Sequence, residues 1–286
     1  MQAIDPSWTE AMRTGNHPLA WRISDEALKS RDPATRDDPH LPYHLRWVWN
    51  GEEIDGKHVL VRCYHGLGDT LQFARFLPEL ARRAASVMLE VQPRIACLFS
   101  SFLIDIHPFD PARPLPPAEV DIEIMELPQA LRLTPGETSP IWLETDAFSL
   151  PPRTIGICTR SGDWDPDRSI PAHLLAFLAE THPILALDLD RSPLPALNPG
   201  GSPYDIPATA ALLAGCNLVI TVDTMIAHLA GAMGKPLILL LKHHHDWRWQ
   251  TLAGQCEWYP DFRLLVQPEP GAWHLLVPQI AKEISR

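Results

Sequence analysis

Residues 59–78 read VLVRCYHGLGDTLQFARFLP, a short apolar run, a glycine-bearing turn and then a helix pattern. Val59, Leu60 and Val61 have the unbroken apolar character of a strand buried on both faces of a parallel sheet. Gly66 and Gly68 remove side chains at the turn, so a ligand or a neighbouring backbone can come close. Asp69 then opens a helix in which Leu71, Phe73, Phe76, Leu77 and Leu80 recur at helical spacing. This is the first half of a βαβ unit, and open α/β sheets place ligands at the carboxyl ends of their strands.

Two readings of Asp69 follow from its position. As an N-cap, its short carboxylate would satisfy free helix N–H groups. As a catalytic base, it would face a cleft over the strand end. The turn is not a dinucleotide fingerprint, because the third glycine is absent, and it lacks the Gly-Lys-Ser/Thr of a P-loop.

A second cluster, NLVITVDTMIAHLAGAMGKPLILLL over 217–241, gives a complete strand–helix–strand unit. Asp223 and Thr224 fall at the first strand's carboxyl end, where the free N–H groups of the following helix favour a diphosphate. Ala227, Ala230, Gly231 and Ala232 let that helix lie close to the sheet. His228 lies one turn after Thr224 on the same side, either as a ligand or as a satisfied structural histidine.

HGLGDTLQFARFLPEL, VDTMIAHLAGAMGKPLILLL and the later DWRWQ…WYPDFRLLVQP occur in that order, and together the chain resembles the glycosyltransferase family 9-like proteins. These are bacterial heptosyltransferase relatives often fused to tetratricopeptide repeats. The resemblance covers about residues 46–286. It implies a GT-B-like α/β fold, with two Rossmann-like domains of parallel sheet facing across a cleft and a nucleotide sugar held mainly by the second. It also implies no resident cofactor and no metal, the nucleotide-diphosphosugar being a substrate. The family commonly has Glu-Gln before GLGD where this chain has Tyr64-His65, and its loop after the last quoted strand is usually less histidine-rich. His65, Gly66, Gly68 and Gln72 belong to the turn and helix on the acceptor side.

Composition fits a cytoplasmic enzyme. The 286 residues suffice for two α/β domains. A formal charge of −11 argues against a general nucleic-acid binder, which would want a basic face. Cys63, Cys97, Cys158, Cys216 and Cys256 are scattered and form no CxxC, as expected of free thiols in a reducing compartment. The N-terminus has no basic-then-apolar signal pattern, and the apolar run Pro236–Leu241 is far too short to span a bilayer.

Proline clusters mark the joints among the 30 prolines. Residues 1–45 hold a helix-like piece, Trp8–Lys29, and a polar stretch, Ser30–Pro42, that together form a short N-terminal helical segment. Residues 46–150 read as the first Rossmann-like domain. Its strands are expected at Val59–Arg62, Ser86–Val91, Ile104–His107 and Ile122–Met125, and its helices at Asp69–Ala84 and Arg94–Ser101. Residues 151–286 form the second, with strands Thr154–Thr159, Ile184–Asp188, the pair in 217–241 and Arg263–Val266, and helices Pro171–Glu180, Ile206–Ala214 and Trp273–Ile284.

Arg160, Arg168 and Ser169 follow the second domain's first strand, where cations would neutralise a leaving diphosphate. The resembling family carries a basic residue and Arg-Ser-Ile/Leu-Pro here, present as Arg168–Pro171. The alternative is a solvated loop with Asp163, Asp165 and Asp167 as partners. Trp247 and Arg248, within Asp246–Trp249, offer an indole face for a base or sugar and a cation for phosphate; interior packing is the competing reading. His243–His245 completes no metal ligand set, because consecutive extended residues alternate faces.

The function expected is inverting, metal-independent transfer from a nucleotide-diphosphosugar, with ADP-heptose the first donor to test. The acceptor would be a hydroxyl of a saccharide, lipid-linked or protein partner, and a lipid-linked one would bring the protein to a membrane surface. Asp69 would be the base, Asp223 would bind sugar hydroxyls, and Thr224 and His228 would orient phosphates. Two other classes stand beside it. One is a non-catalytic nucleotide-sugar or protein-binding module. The other is a Rossmann oxidoreductase or epimerase, for which Glu90 lies near the position of a ribose-binding acid.

Overall fold

The computed structural model describes residues 6–29, 32–35, 49–63, 65–249, 251–252 and 255–285. Tyr64 and most of Ser30–Pro42 lie outside these residues. The chain divides into two compact units, Met1–Ser139 and Pro140–Arg286. Each is built on its own all-parallel sheet.

The first unit opens with a helical pair, α1 (Pro6–Arg13) and α2 (His17–Leu28). The sequence pattern reads as one piece, but Gly15 takes φ +68° and the Asn16 side chain accepts from Leu19 N, so the chain turns and restarts. The strands are β1 (His58–Arg62), β2 (Ser86–Val91), β3 (Asp105–Pro108) and β4 (Val120–Glu123), in the order β3-β2-β1-β4. The expected β3 and β4 each shift by one or two residues. Val59, Leu60 and Val61 of central β1 are fully buried, as their run requires.

The helix expected over Asp69–Ala84 is interrupted. It begins at Leu67 as α3 (Leu67–Phe73), tightens into a 3₁₀ turn at Ala74–Phe76, and resumes as α4 (Leu77–Arg83). Pro78 has no N–H to bond back to Ala74, which places the break there. Arg94–Ser101 supplies only a 3₁₀ turn, Ala96–Phe99. An unexpected helix, α5 (Leu127–Leu131), follows β4. Gln129 Nε2 and Arg132 Nη2 reach Asp25 of α2 at 2.8 and 3.0 Å, so the helical pair is tied to this unit.

Beneath β1 lies a buried ion triad. Arg62 pairs with Glu90 of β2 at 2.9 Å and with Asp121 of β4 at 2.5 Å. Glu90 uses its other oxygen to accept from Leu115 N, and it is 1% exposed. Both oxygens are thus engaged, which removes Glu90 as a ribose ligand and with it the sequence basis of the oxidoreductase alternative.

The second unit has β5 (Ile155–Cys158), β6 (Ile184–Ala186), α6 (Ile206–Gly215), β7 (Leu218–Val222), α7 (Met225–Ala232) and β8 (Leu237–Leu241). A small antiparallel ribbon, β9 (Thr251–Leu252) and β10 (Gln255–Cys256), precedes β11 (Arg263–Val266) and α8 (Val277–Ile284). The sheet order is β11-β8-β7-β5-β6. The strand order reverses between β5 and β7, and their carboxyl ends form the topological switch point. Ile155, Ile157, Ile220, Val222, Ile238 and Leu240 pack on Leu175, Leu178, Trp273, Leu276 and Ile280. The segment expected as an α-helix at Pro171–Glu180 is 3₁₀ over Ala172–Glu180.

The sequence places the domain joint at 150/151, beside Pro151-Pro152. The division between compact units falls at 139/140. Residues 141–148 lie on the second unit: Trp142 N and Leu143 N both donate to Ala232 O, and Phe148 N donates to Ala211 O. Among the described residues no helix is long and apolar enough to cross a membrane.

Candidate functional site

In the first unit, the turn after β1 delivers Gly66 as N-cap of α3, with extended backbone, and Asp69 as its third residue. Asp69 is therefore not the N-cap. Its Oδ2 accepts from Gly66 N at 2.9 Å, the reciprocal arm of a capping box, and the carboxylate is half-buried. A Cβ on Gly66 would lie 3.2 Å from that Oδ2, so glycine gives the carboxylate room. Thr70 donates to Gln92 Oε1, and Gln92 Nε2 donates to His65 O, which braces the turn against the residue following β2. Gln72 is 1% exposed and neither end of its carboxamide has a hydrogen-bond partner among the described residues.

In the second unit the carboxyl ends of β5, β7 and β8 meet. The loop after β5 is held from below by Asp188, which accepts from Thr159 N, Thr159 Oγ1 and Arg160 N. It is closed on itself by Ser169, whose Oγ accepts from Ser161 N at 3.0 Å, and by Ser161 Oγ donating to Asp165 O. Arg168 is thereby carried to Asp223, with Nη1 3.4 Å from Oδ2. Its guanidinium lies 4.1 Å from the ring centre of Trp164, which is itself largely exposed. Arg160 instead points outward, half-exposed and paired with Asp190.

Asp223 sits one residue before Thr224, the N-cap of α7, whose Oγ1 accepts from Ile226 N. Burial pushes the Asp223 carboxyl above the usual range, more than the Arg168 guanidinium pulls it down. Asp246 adds to the rise, while the Trp249 indole N–H and Arg248 oppose it. The Cys158 thiol, against Asp188 and Thr224, is also pushed up by burial, and the Cys216 thiol is pushed up to about 12.

His228 is buried and its Nδ1 lies 3.0 Å from Tyr259 Oη, with its ring stacked on Trp249. The small face of α7 serves this contact: a Cβ on Gly231 would fall 2.2 Å from the Tyr259 ring. The close approach admits an aromatic ring as well as the sheet. Trp247 and Trp249 are interior, Trp247 edge-on to Trp258 and under Arg248, which pairs with Asp246. Packing, rather than an open stacking platform, describes both indoles.

The structure thus gathers Arg168, Ser169, Asp223 and Thr224 at one edge, backs them with His228, and sets Arg160 apart. Sequence reading missed Asp188, Tyr259 and Lys242. Lys242 is a cation directly after the five apolar residues of β8, and its Nζ lies 2.7 Å from Asp165 Oδ2. Its place at a strand's carboxyl end was the available signal. His243 Nδ1 is engaged with Gln267 O, and among the described residues no group of three or more His, Cys, Asp or Glu is arranged to hold a metal ion.

Residues 202–258, spanning α6, β7, α7 and β8, match the model of glycosyltransferase family 9 (heptosyltransferase). Three solved structures share the fold. A glycosyl transferase family 9 protein from Veillonella parvula aligns over 82% of this chain and 91% of its own, at 14% identity and a TM-score of 0.51. The E. coli dodecameric iron-containing heptosyltransferase TibC, in complex with ADP-D-beta-D-heptose, aligns over 66% and 59%, at 13% and 0.51. E. coli ADP-heptose lps heptosyltransferase II aligns over 80% and 98%, at 12% and 0.50. Protein FlbA of Caulobacter vibrioides is 25% identical across 90% of this chain, which spans about half (51%) of the length of that curated relative. The fold is GT-B-like α/β, with two parallel sheets of Rossmann type.

Proposed function

We propose that the protein is an inverting, metal-independent glycosyltransferase that uses a nucleotide-diphosphosugar, with ADP-heptose the first donor to test. The observation that carries this reading is Arg168 and Asp223 converging at the switch point beside the N-terminus of α7, with Asp223 and α7 inside the family 9 match. Arg168 and the positive end of the α7 dipole would stabilise charge on the departing diphosphate. Asp223 would accept from donor sugar hydroxyls. His228, fixed by Tyr259, would support the α7 end.

Asp69 would take the acceptor hydroxyl's proton as that oxygen bonds to the anomeric carbon. The bond from the anomeric carbon to the leaving oxygen breaks, and its electron pair goes to the nucleoside diphosphate. The acceptor would be a saccharide, a lipid-linked saccharide or a protein hydroxyl, and five cysteines outside any disulfide suit a reducing, cytoplasmic setting.

A thermal-shift screen of ADP-, UDP-, GDP- and dTDP-sugars tests the donor. A ligand at a hundred times its dissociation constant should stabilise the fold by about 2.7 kcal/mol. No shift with any nucleotide sugar would overturn the reading. One observation favours a second, non-catalytic reading of the first unit: the Asp69 carboxylate is engaged by Gly66 N. Donor turnover by the protein separates the two.

A further inference from the structure

At the carboxyl edge of the second sheet, four charges alternate in sign: Lys242, Asp165, Arg168 and Asp223. Lys242 Nζ is 2.7 Å from Asp165 Oδ2, and the same oxygen is 3.7 Å from Arg168 Nε. Arg168 Nη1 is 3.4 Å from Asp223 Oδ2. Arg168 is 9% exposed, yet its Nε meets no acceptor, and neither carboxylate stands at full hydrogen-bonding distance and geometry. A guanidinium with five donors, removed from water and under-satisfied, is poised for an anion that can approach it more closely.

The sheet register gives Lys242 its place. β7 and β8 run parallel with Val222 paired to Leu240, and Lys242 directly follows β8 as Asp223 directly follows β7. Through Asp165 its ammonium is linked to Arg168, which approaches Asp223 from the β5 loop. Asp165 and Lys242 are the more accessible members, with side chains 18% and 24% exposed against 10% for Arg168. An incoming ligand would meet the Asp165–Lys242 pair first.

We infer that Lys242 and Arg168 form a two-cation subsite for the diphosphate group of the ligand, and that Asp165 is the internal anion occupying it until that group arrives. The inference rests on the proposed nucleotide-sugar reading and adds a residue and a counter-ion to it. The quartet is neutral as it stands. A diphosphate would replace one carboxylate shared loosely between two cations with several oxygens able to bond both, and charge-assisted bonds to phosphate are the strong class. Asp165 would turn towards solvent, which its loop position allows. A purely structural tie makes the opposite demand, because the loop after β5 would then need Asp165 charged to hold Arg168 in place.

The test is isothermal titration of the full chain and its variants with inorganic pyrophosphate, with whichever of ADP, UDP, GDP or dTDP binds best, and with the corresponding nucleoside. Lys242→Gln should weaken pyrophosphate and nucleotide binding by about 10- to 100-fold, as expected for one charge-assisted contact, and leave the nucleoside unchanged. Lys242→Arg should restore most of the loss. Asp165→Asn keeps an acceptor for Lys242 but removes the competing charge, so it should tighten pyrophosphate binding several-fold.

Weaker pyrophosphate binding by Asp165→Asn would overturn the inference in favour of a structural tie. Lys242→Gln within twofold of wild type would also overturn it, while leaving the nucleotide-sugar reading in place. Wild-type protein that binds the nucleoside but no pyrophosphate would overturn the subsite alone. Protein that binds no nucleotide or nucleotide sugar would overturn both.

Discussion

Two strand–turn–helix junctions, one in each sheet, each present an aspartate, and they use it in different ways. In β1–α3 the acid is the third residue of the helix, and its carboxylate folds back onto the N-cap glycine's N–H. In β7–α7 the acid stands one residue ahead of the N-cap, Thr224 does the capping, and Asp223 reaches another loop's arginine. The difference is one of register. A carboxylate inside the first turn is satisfied by its own helix, whereas one just outside is free to take a distant partner. The second therefore carries a buried carboxyl whose pKa depends on tertiary structure, and the first carries a bond made within its own turn.

The largest expected effect separates the two roles assigned to Asp69. Asp69→Asn keeps the shape and an acceptor for Gly66, so folding should survive, while transfer should fall by roughly 10²–10⁴-fold with donor affinity nearly unchanged. Transfer at the wild-type rate would reduce Asp69 to a cap. The next effect is on stability. Asp223→Ala leaves the buried Arg168 with only the more distant Asp165, and unfolding in urea should show a loss of about 3 kcal/mol. Asp223→Asn keeps an acceptor for Arg168 and removes only the charge, so its loss in the same assay should be smaller.

Asp69→Ala removes a bond confined to one turn and should cost only about 0.5–1 kcal/mol in the same assay. Equal losses at the two sites would erase the distinction drawn here. The smallest effect is in pH dependence. The folded-state pKa of Asp223 is raised above its unfolded value, so the native state takes up the proton first. Wild type should therefore gain stability relative to Asp223→Asn as the pH falls from neutrality through the raised value, the change being complete below the ordinary carboxyl range.

Much of the architecture is legible because it is local. Short runs rich in apolar residues placed β1, β2 and β11 within a residue of their observed bounds, and the order of strands and helices pointed to two parallel sheets. Helix type was less legible. Pro78 sits inside an uninterrupted apolar period, and the period hides the break. The site was half legible. Asp223, Thr224 and Arg168 announce themselves by position at strand ends. The bonds that give them their properties join Lys242 to Asp165 across 77 residues and His228 to Tyr259 across 31, and no local pattern encodes such partners. The indoles of Trp247 and Trp249 show the reverse case, since an aromatic–cation string reads alike whether it is buried or open.

The stretch 141–148 carries a practical consequence for taking the molecule apart. It crosses α6 and α7 as a strap, with Ile141 against Gly234 and the Phe148 carbonyl so near Gly215 that a Cβ there would lie 2.2 Å away. A genetic cut at the Pro151-Pro152 pair, the natural choice from sequence, would strip this strap, orphan the carbonyls of Ala211 and Ala232 and bare the backs of both helices. A cut before Pro140 keeps it. The seam along which halves of such proteins could be exchanged or expressed alone thus runs about ten residues upstream of the apparent linker, on the far side of a segment that belongs to its successor.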